Sequence, residues 1–400
     1  MLSKKIYLVG GAVRDKLLNE SFYDKDFVAV GYTSDDFSHL KQVGKDFPVF
    51  LNEDGSELAL ARVERKTSQG YNGFCMETEN VTIEEDLKRR DLTINSIAYD
   101  EENKIFIDPY NGKKDLENRV LRHTSEAFTE DPMRVLRLAR FRAKYGYRWK
   151  IHPSTKVFVY QMRDELKYLQ KDRVYKEIEK VLDLENSYIF FETLFELGVL
   201  DVIFPSIYNL TTLKEGSIYH MESTVFEHTM MILKELKNSS RLQKLTTLYH
   251  DIAKPYCYRK FGNSASHDKK ELVEPLIDMQ LPVKLKQKML SLIENHIKIY
   301  ILDQMKATKI ATFYESFRKD RELFENLIEF ANADNQGRIC LTTKESLPKD
   351  KLLLVFDTIS SYSPKDWIDS QEDVSGDMIK QHIHRYNIEV VKKLYFSTNK

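Results

Sequence analysis

The sequence has little cysteine and no long apolar run. Its three cysteines, Cys75, Cys257 and Cys340, are scattered without metal-like spacing, so we expect no disulfide framework and a reducing compartment. No apolar stretch reaches the length of a membrane span, and only a short one precedes the first glycine pair, so we expect neither membrane association nor a secretory signal. These absences predict a soluble, cytoplasmic chain.

The charges are nearly balanced, and glycine is scarce after the first third. Lys and Arg total 61 against 62 Asp and Glu, which argues against a basic coat over the whole surface but not against a local basic groove. The length predicts two or three domains. Residues 1–125 mix turns with strand-like runs at 48–51, 57–63, 96–99 and 105–107, whereas the pattern from 126 onward is helical. We therefore predict an α+β chain, divided into the segments 1–125, 126–215, 216–340 and 341–400.

The N-terminal segment carries an unusual succession of signals. A short apolar run ends in Gly10 and Gly11, Arg14 follows at the start of a helical pattern, and Asp24 and Asp26 flank a lysine before an apolar strand. Because side chains alternate along a strand, the two aspartates are expected to point to the same face. Carboxylates that close repel unless a divalent cation lies between them, so the pattern predicts a magnesium site. The alternative is a solvated turn.

A second group of polar residues lies at Arg90, Asp91 and Asn95. Arg90 can neutralise phosphate charge, and the four-residue spacing of Asp91 and Asn95 predicts a shared helical face. An acceptor and a donor on that face could bind ribose hydroxyls. The alternative is a solvated basic face.

A third group begins the helical part of the chain. Asp131 suits a helix N-cap, and Asp131, Arg134 and Arg137 share one broad helical face with Arg140 on its flank. A carboxylate accepts from an exocyclic amine and a guanidinium donates to ring acceptors. This pair can read cytosine and adenine, and it rejects uracil and guanine, whose carbonyls would face the carboxylate. The alternative is an N-cap beside a solvated basic edge.

These motifs together resemble the class II tRNA nucleotidyltransferases and their poly(A) polymerase relatives, members of the polymerase-beta-like nucleotidyltransferase superfamily. The resemblance implies a small head with a mixed sheet, followed by an all-α neck, body and tail. It implies that Asp24 and Asp26 are catalytic and hold Mg²⁺, and that Gly11, Arg14 and Arg90 position a triphosphate. It further implies base reading by Asp131 and Arg134, nucleotide binding by Arg137 and Arg140, and a structural role for Arg173 and Glu177.

The third segment contains a series of histidines and aspartates that resembles the HD metal-dependent phosphohydrolases. The alternative for each histidine is a satisfied core residue. Imidazole and carboxylate ligands suit a transition metal such as Ni²⁺ or Mn²⁺, which activates water against a phosphoester. The series comprises His220, His228, His250, Asp251, His267, His296 and Asp334. The resemblance implies that His228, His250, Asp251 and Asp334 are the ligands and that His267 and His296 line the site.

Taken over its whole length, the chain resembles the bacterial multifunctional CCA-adding enzymes. The implied partners are tRNA, ATP and CTP. The implied reactions are addition of C, C and A to the tRNA 3′ end and hydrolysis of phosphate monoesters or 2′,3′-cyclic phosphodiesters. The alternatives are a CC-adding or A-adding enzyme, which would differ in a head loop at 67–79, and a poly(A) polymerase. The chain is expected to be a monomer or a homodimer.

Overall fold

The computed structural model describes residues 2–22, 24–43, 48–66, 74–214, 221–341 and 343–396, with the backbone alone at 64–66 and 74–76. These residues form two compact units, Met1–Ile203 and Phe204–Lys400. The division into four segments remains a prediction.

The first unit is built on strands and short helices. Its strands are β1 (Lys5–Val9), β2 (Asp26–Val30), β3 (Lys41–Val43), β4 (Val49–Leu51), β5 (Glu57–Leu60), β6 (Val63–Lys66), β7 (Phe74–Glu77), β8 (Ala98–Asp100), β9 (Ile105–Ile107), β10 (Val120–Leu121) and β11 (Lys150–Ile151). Its helices are α1 (Gly11–Leu17), α2 (Ile83–Lys88), α3 (Gly112–Asn118), α4 (Met133–Tyr145), α5 (Pro153–Gln161), α6 (Lys171–Leu182), α7 (Ser187–Glu196) and α8 (Leu200–Ile203).

Seven of these strands form one mixed sheet in the order β3-β4-β5-β2-β1-β8-β9. Strands β2 and β5 pair in parallel, and the other neighbours pair antiparallel. Alternation along β2 sends Val28 and Val30 to one apolar cluster and Ala29 to another on the opposite face. Since both faces are buried, the register is strongly specified.

The predicted strand at 57–63 is wrong in its extent. Strand β5 ends at Leu60, and β6 pairs instead with β7 in a separate two-stranded sheet. The main chain of Arg62 is taken out of the ladder because its N–H donates to Asp86 and its carbonyl accepts from Arg89. Of the loop expected at 67–79, residues 67–73 lie outside the described residues.

The second unit is helical in its described residues. Its helices are α9 (Pro205–Asn209), α10 (Val225–Glu235), α11 (Arg241–Tyr249), α12 (Lys254–Phe261), α13 (Lys270–Val273), α14 (Val283–Asn295), α15 (Ala307–Phe317), α16 (Arg321–Gln336), α17 (Lys349–Ser361), α18 (Lys365–Asp369) and α19 (Gly376–Val391). Helices α15, α16, α17 and α19 share one apolar core, in which the rings of Phe324 and Phe356 stack 4.8 Å apart. A mixed sheet followed by helices confirms the predicted α+β class. Within the described ranges, every helix is too short or too polar to span a bilayer.

Gly112 couples α3 to the turn that bears Asn95. A Cβ atom at Gly112 would lie 2.3 Å from the carbonyl oxygen of Thr93 and 2.8 Å from side-chain atoms of Ile97. The first residue of α19, Gly376, has open space around the same position. Both glycines are the first residue of a helix and differ in the space around them, so Gly376 can serve as the control for a substitution at Gly112.

We predict that Gly112→Ala lowers the free energy of unfolding by about 2 to 3 kcal/mol through overpacking, while Gly376→Ala leaves it unchanged or raises it. Denaturant unfolding followed by circular dichroism measures both. Equal effects of the two substitutions would contradict the close packing at Gly112.

Candidate active sites

One cavity of about 880 Å³ in the first unit collects all the residues predicted to bind nucleotide or Mg²⁺ in this part of the chain. We call it the N-terminal cavity. The end of β1, the start of β2, the turn after α2 and one face of α4 contribute to its lining. The predicted residues that line it are Gly11, Arg14, Asp24, Asp26, Arg90, Asp91, Asn95, Asp131, Arg134, Arg137 and Arg140.

The glycine pair allows charged side chains to approach the main chain. Gly10 has a φ of 68°, a conformation that side chains rarely adopt. A Cβ atom there would lie 3.3 Å from Nη1 of Arg90 and 3.5 Å from Oδ2 of Asp26. Gly10 therefore leaves space for a cation and a carboxylate close to the main chain at the start of α1.

Asp24 and Asp26 line the same cavity, as expected, but strand alternation is not the reason. Strand β2 begins at Asp26, opposite Val9 of β1, so Asp24 lies before the strand. The surrounding protein raises the pKa of Asp26 by partial desolvation; Arg90 opposes this shift and the charge of Asp24 adds to it. Two exposed carboxylates whose repulsion is only partly offset fit a divalent cation with oxygen ligands.

A buried hydrogen-bond network joins the first two groups of predicted residues to α4. Arg14 donates from Nη1 to Oδ1 of Asn95 over 2.7 Å, and Nδ2 of Asn95 donates to Oδ1 of Asp91 over 3.0 Å. The other oxygen of Asp91 accepts from Nε of Arg137 over 2.7 Å and lies 2.7 Å from Nη2 of the same guanidinium. Burial alone would raise the pKa of Asp91, but Arg137, Asn95 and the N–H of Leu92 outweigh it and lower the pKa strongly.

The predicted helical face shared by Asp91 and Asn95 is wrong, because Asp91 follows α2 in a turn and Asn95 ends a separate 3₁₀ turn, Thr93–Asn95. Their side chains nevertheless meet directly. Asn95 accepts a hydrogen bond from Arg14, and Asp91 accepts one from Arg137, so the two residues position these arginines. Sequence reasoning missed this role. Contact with a ribose stays a prediction.

Arg90 is held by a carboxylate that the motifs did not indicate. Asp86 is fully buried, and its Oδ2 accepts from Nε of Arg90 at 3.3 Å and from Nη2 at 3.1 Å. Its Oδ1 accepts from Arg89 at 2.7 Å. Burial would raise the pKa of Asp86, but the two arginines lower it. The i, i+3 and i, i+4 spacing of the three residues was the available signal.

Helix α4 presents its polar residues with defined partners. Asp131 caps the helix, since its Oδ1 accepts from the N–H of Met133 at 3.0 Å, while its Oδ2 lies 3.5 Å from Nη2 of Arg173. Arg134 donates to the carbonyl oxygen of Ala127 over 2.5 Å. Each cation of this face is therefore oriented by an acceptor rather than solvated along its length.

Residues of α6 support that face. Glu177, which is buried, accepts from Nε of Arg140 over 2.5 Å, and Arg173 faces Asp131. The two residues thus orient side chains of the cavity, which refines the structural role implied for them. Sequence reasoning missed further lining residues, of which the basic ones are Arg89, Lys144, Lys176 and Lys180.

A second cavity of about 550 Å³ lies in the second unit, and we call it the histidine cavity. Two sets of three potential metal ligands line it, each set with its ligand atoms within 4.8 Å of one another. The sets are His228, His250 and Asp334, and Asp251, His267 and His296. All six side chains are buried. His267 and His296, expected only to line the site, form one of the two sets together with Asp251, and His220 lies outside the described residues.

Three of these imidazoles are oriented by main-chain carbonyl groups. Nδ1 of His250, His267 and His296 lies 2.8, 2.7 and 2.6 Å from the backbone carbonyl oxygen three residues earlier. Because a carbonyl oxygen only accepts, Nδ1 is the donor in each contact, and Nε2 is the nitrogen that the neutral ring offers to a metal ion. Such carbonyl contacts are typical of metal-binding histidines.

Nε2 of His250 and Nε2 of His267 both face the carboxylate of Asp251. Nε2 of His250 is 3.2 Å from Oδ2 of Asp251, and Nε2 of His267 is 3.1 Å from its Oδ1. Both nitrogens are buried and lack a hydrogen-bond partner in the described structure. Neutral imidazole nitrogens and a carboxylate gathered at this distance are a ligand set that suits a transition-metal ion.

The charge states of the cavity follow from burial and from neighbouring groups. Burial, His250 and His267 lower the pKa of His296 to about 3, which keeps its imidazole neutral as a ligand must be. Burial would raise the pKa of Asp251, but its neighbours, His250 and then Lys254, hold it well below its usual range. Lys254, with Nζ 2.8 Å from Asp251, is one of the lining residues that sequence reasoning missed.

His228 is held differently. Its Nε2 lies 3.0 Å from Oδ1 of Asp334, and its Nδ1 lies 3.6 Å from Glu222. Burial alone would lower the pKa of His228, but these two carboxylates raise it to about 9. This histidine must release a proton before Nε2 can bind a metal ion.

Asp91→Asn tests the buried network of the N-terminal cavity. We predict a loss of about 3 kcal/mol in the free energy of unfolding at neutral pH, because Arg137 loses its charged partner. The native pKa of Asp91 is depressed, so its stabilisation is present above the unfolded-state pKa and is lost as the pH falls. The difference between wild type and variant should therefore shrink below about pH 4.

The measurement is urea unfolding at several pH values, with the exposed Asp35→Asn as the control that leaves stability unchanged. A difference between wild type and Asp91→Asn that is independent of pH would contradict the depressed pKa of Asp91.

Comparisons with known proteins cover nearly the whole chain. Residues 6–122 match the Poly A polymerase head domain, and residues 149–210 match the family described as probable RNA and SrmB-binding site of polymerase A. A CCA-adding enzyme of Thermotoga maritima solved in complex with tRNA has a TM-score of 0.64 at 19% identity, over 99% of this chain and 88% of that one. A Bacillus stearothermophilus CCA-adding enzyme solved with CTP has a TM-score of 0.60 at 20% identity, over 98% and 89%. Both structures support the fold.

Relatives found by sequence have a higher identity to this chain than these two solved structures. The multifunctional CCA protein of Acinetobacter baumannii strain SDF is 37% identical over 97% of each chain. The protein of the same name from Shewanella denitrificans is 38% identical over 84% of each chain. The chain therefore belongs to the multifunctional CCA protein family.

Proposed function

We propose that the chain adds C, C and A to the 3′ end of tRNA from CTP and ATP, with release of pyrophosphate. The observation that carries this proposal is that one cavity is lined both by the paired carboxylates Asp24 and Asp26 and by the base-reading candidates on α4. The names of the relatives and of the structures solved with tRNA, CTP and ATP support it.

Asp24 and Asp26 would hold Mg²⁺ at the start of β2. When bound, Mg²⁺ neutralises triphosphate charge and favours the deprotonated 3′-hydroxyl of the primer. Arg14 and Arg90 would bind the phosphate oxygens, and both are already oriented, by Asn95 and Asp86 respectively. Oriented guanidinium groups lose little conformational freedom when the triphosphate binds.

Asp131 and Arg134 would select the base. One oxygen of Asp131 caps α4, and the carboxylate retains acceptor capacity for the exocyclic amine of cytosine or adenine. Arg134 would donate to the ring acceptor beside that amine. Because protein groups take the place of a template base, the same pair can serve both CTP and ATP.

We further propose that the histidine cavity hydrolyses phosphate monoesters or 2′,3′-cyclic phosphodiesters. The clustering of His228, His250, Asp251 and Asp334 with His267 and His296 supports this function. These side chains would hold a divalent transition metal, which when bound makes water a stronger nucleophile. Nε2 of His250 and Nε2 of His267 are buried without a hydrogen-bond partner among the described residues, which supports binding of such an ion.

The finer alternatives stay open. A CC-adding or A-adding enzyme would share the N-terminal cavity, and a poly(A) polymerase would share the head but would not be expected to contain the histidine cavity. The state of association, monomer or homodimer, and the cytoplasmic location remain predictions.

Two single substitutions should separate the activities. Asp26→Asn is expected to slow nucleotide addition by about three orders of magnitude, because the metal site loses a charged ligand, and to spare phosphohydrolysis. His250→Ala should do the reverse. Each variant is the control for the other, assayed with a tRNA transcript and with a phosphomonoester. Loss of both activities in either folded variant would refute separate sites.

Asp131→Asn tests base selection. An amide presents both a donor and an acceptor, so this variant should incorporate UTP at a detectable rate, and its discrimination between CTP and UTP should fall by about tenfold to a hundredfold. Sequencing of the extended tRNA ends measures the change. Unaltered discrimination with full activity would exclude Asp131 from base reading.

A further inference from the structure

The histidine cavity is lined by a cation that none of the steps above uses, Arg338. Its Nη2 donates to Oδ2 of Asp334 over 2.6 Å, and its guanidinium carbon lies 5.6 Å from the centre of the Tyr300 ring. Nε of Arg338 is buried and has no acceptor in the described part of the chain. A buried donor without an acceptor is costly unless a ligand supplies one.

The main chain fixes Arg338 from both sides. Gly337 lies so close to α10 that a Cβ atom would be 2.8 Å from Cγ1 of Ile232 and 3.0 Å from its backbone nitrogen. On the other side, the N–H of Ile339 donates to Oε1 of Glu222 over 2.5 Å. Arg338 therefore projects from a segment whose position is set before any ligand binds.

The position of Arg338 suits an anion that enters from solvent. Its side chain is 24% exposed, whereas Asp334, which it contacts, is 3% exposed. Lys254 adds a second cation to the lining, at Asp251. A guanidinium presents neighbouring N–H groups in a fixed plane that matches two oxygens of a phosphate group.

We propose that Arg338 binds the phosphate group of the substrate in the histidine cavity. The assignment rests on the phosphohydrolase function proposed above and adds a residue to it. Nε of Arg338 donates to a non-bridging phosphate oxygen, while Nη2 keeps its contact with Asp334. The plane of the guanidinium, held over Tyr300, orients the phosphorus toward the metal-ligating side chains.

The test compares Arg338→Gln and Arg338→Lys in the full-length, metal-supplemented protein. The matched control is Arg321→Gln, because Arg321 begins α16 and pairs with Glu325 on the surface. The readouts are KM for p-nitrophenyl phosphate and the inhibition constant of inorganic phosphate. We expect both constants to rise by about tenfold to a hundredfold in Arg338→Gln. In Arg338→Lys the two constants should rise less, since lysine keeps the charge but lacks the planar donors. In Arg321→Gln both constants should equal those of the wild type.

Metal content and thermal unfolding distinguish phosphate binding from support of Asp334. Loss of bound metal and of kcat with an unchanged phosphate inhibition constant would overturn the proposal, because Arg338 would then act only through Asp334. The proposal would also be overturned if the wild type hydrolyses phosphomonoesters and the Arg338 variants have unchanged KM and inhibition constant. That result would leave the phosphohydrolase function intact. A wild-type protein that neither hydrolyses phosphomonoesters nor binds inorganic phosphate would overturn both.

Discussion

Charge pairing by buried carboxylates determines the geometry of the N-terminal cavity. Asp91 holds Arg137 directly and Arg14 through Asn95, and Asp86 holds Arg90. Long guanidinium side chains would otherwise lose much conformational freedom on binding a nucleotide. Because the folded protein has already restricted them, less of the binding energy is spent on ordering. The carboxylates that pair with arginines are distinct from Asp24 and Asp26, which stay exposed for a metal ion.

The histidine cavity achieves the same fixed geometry with main-chain carbonyl groups. The Nδ1 contacts of His250, His267 and His296 orient the three rings, so that Nε2 of each neutral ring is available to a metal ion. The cost of burying these nitrogens beside Asp251 is offset when a cation is bound. The two cavities thus share a principle, in that the surrounding residues set the charge and direction of each ligand-binding group in advance.

The sequence was sufficient to predict the α+β class and to group most candidate ligand-binding residues of each cavity, because the motifs are local and their residue types are chemically restrictive. It was insufficient for the contacts. Arg137 bonds Asp91 across 46 positions and Arg140 bonds Glu177 across 37, and such pairings depend on how helices pack. Local periodicity also placed Asp91 and Asn95 on one helix, whereas main-chain hydrogen bonds of Asp91 and Thr93 to residues 122–124 keep this stretch out of a continuous helix.

The most direct test of this account uses a tRNA transcript that lacks its 3′ CCA, with magnesium and the purified protein. CTP alone, ATP alone and both together are supplied, and the product ends are sequenced. The account predicts two C additions with CTP and a terminal A only when ATP is also present. Arrest at CC, an unbounded A tail or no addition at all would contradict it.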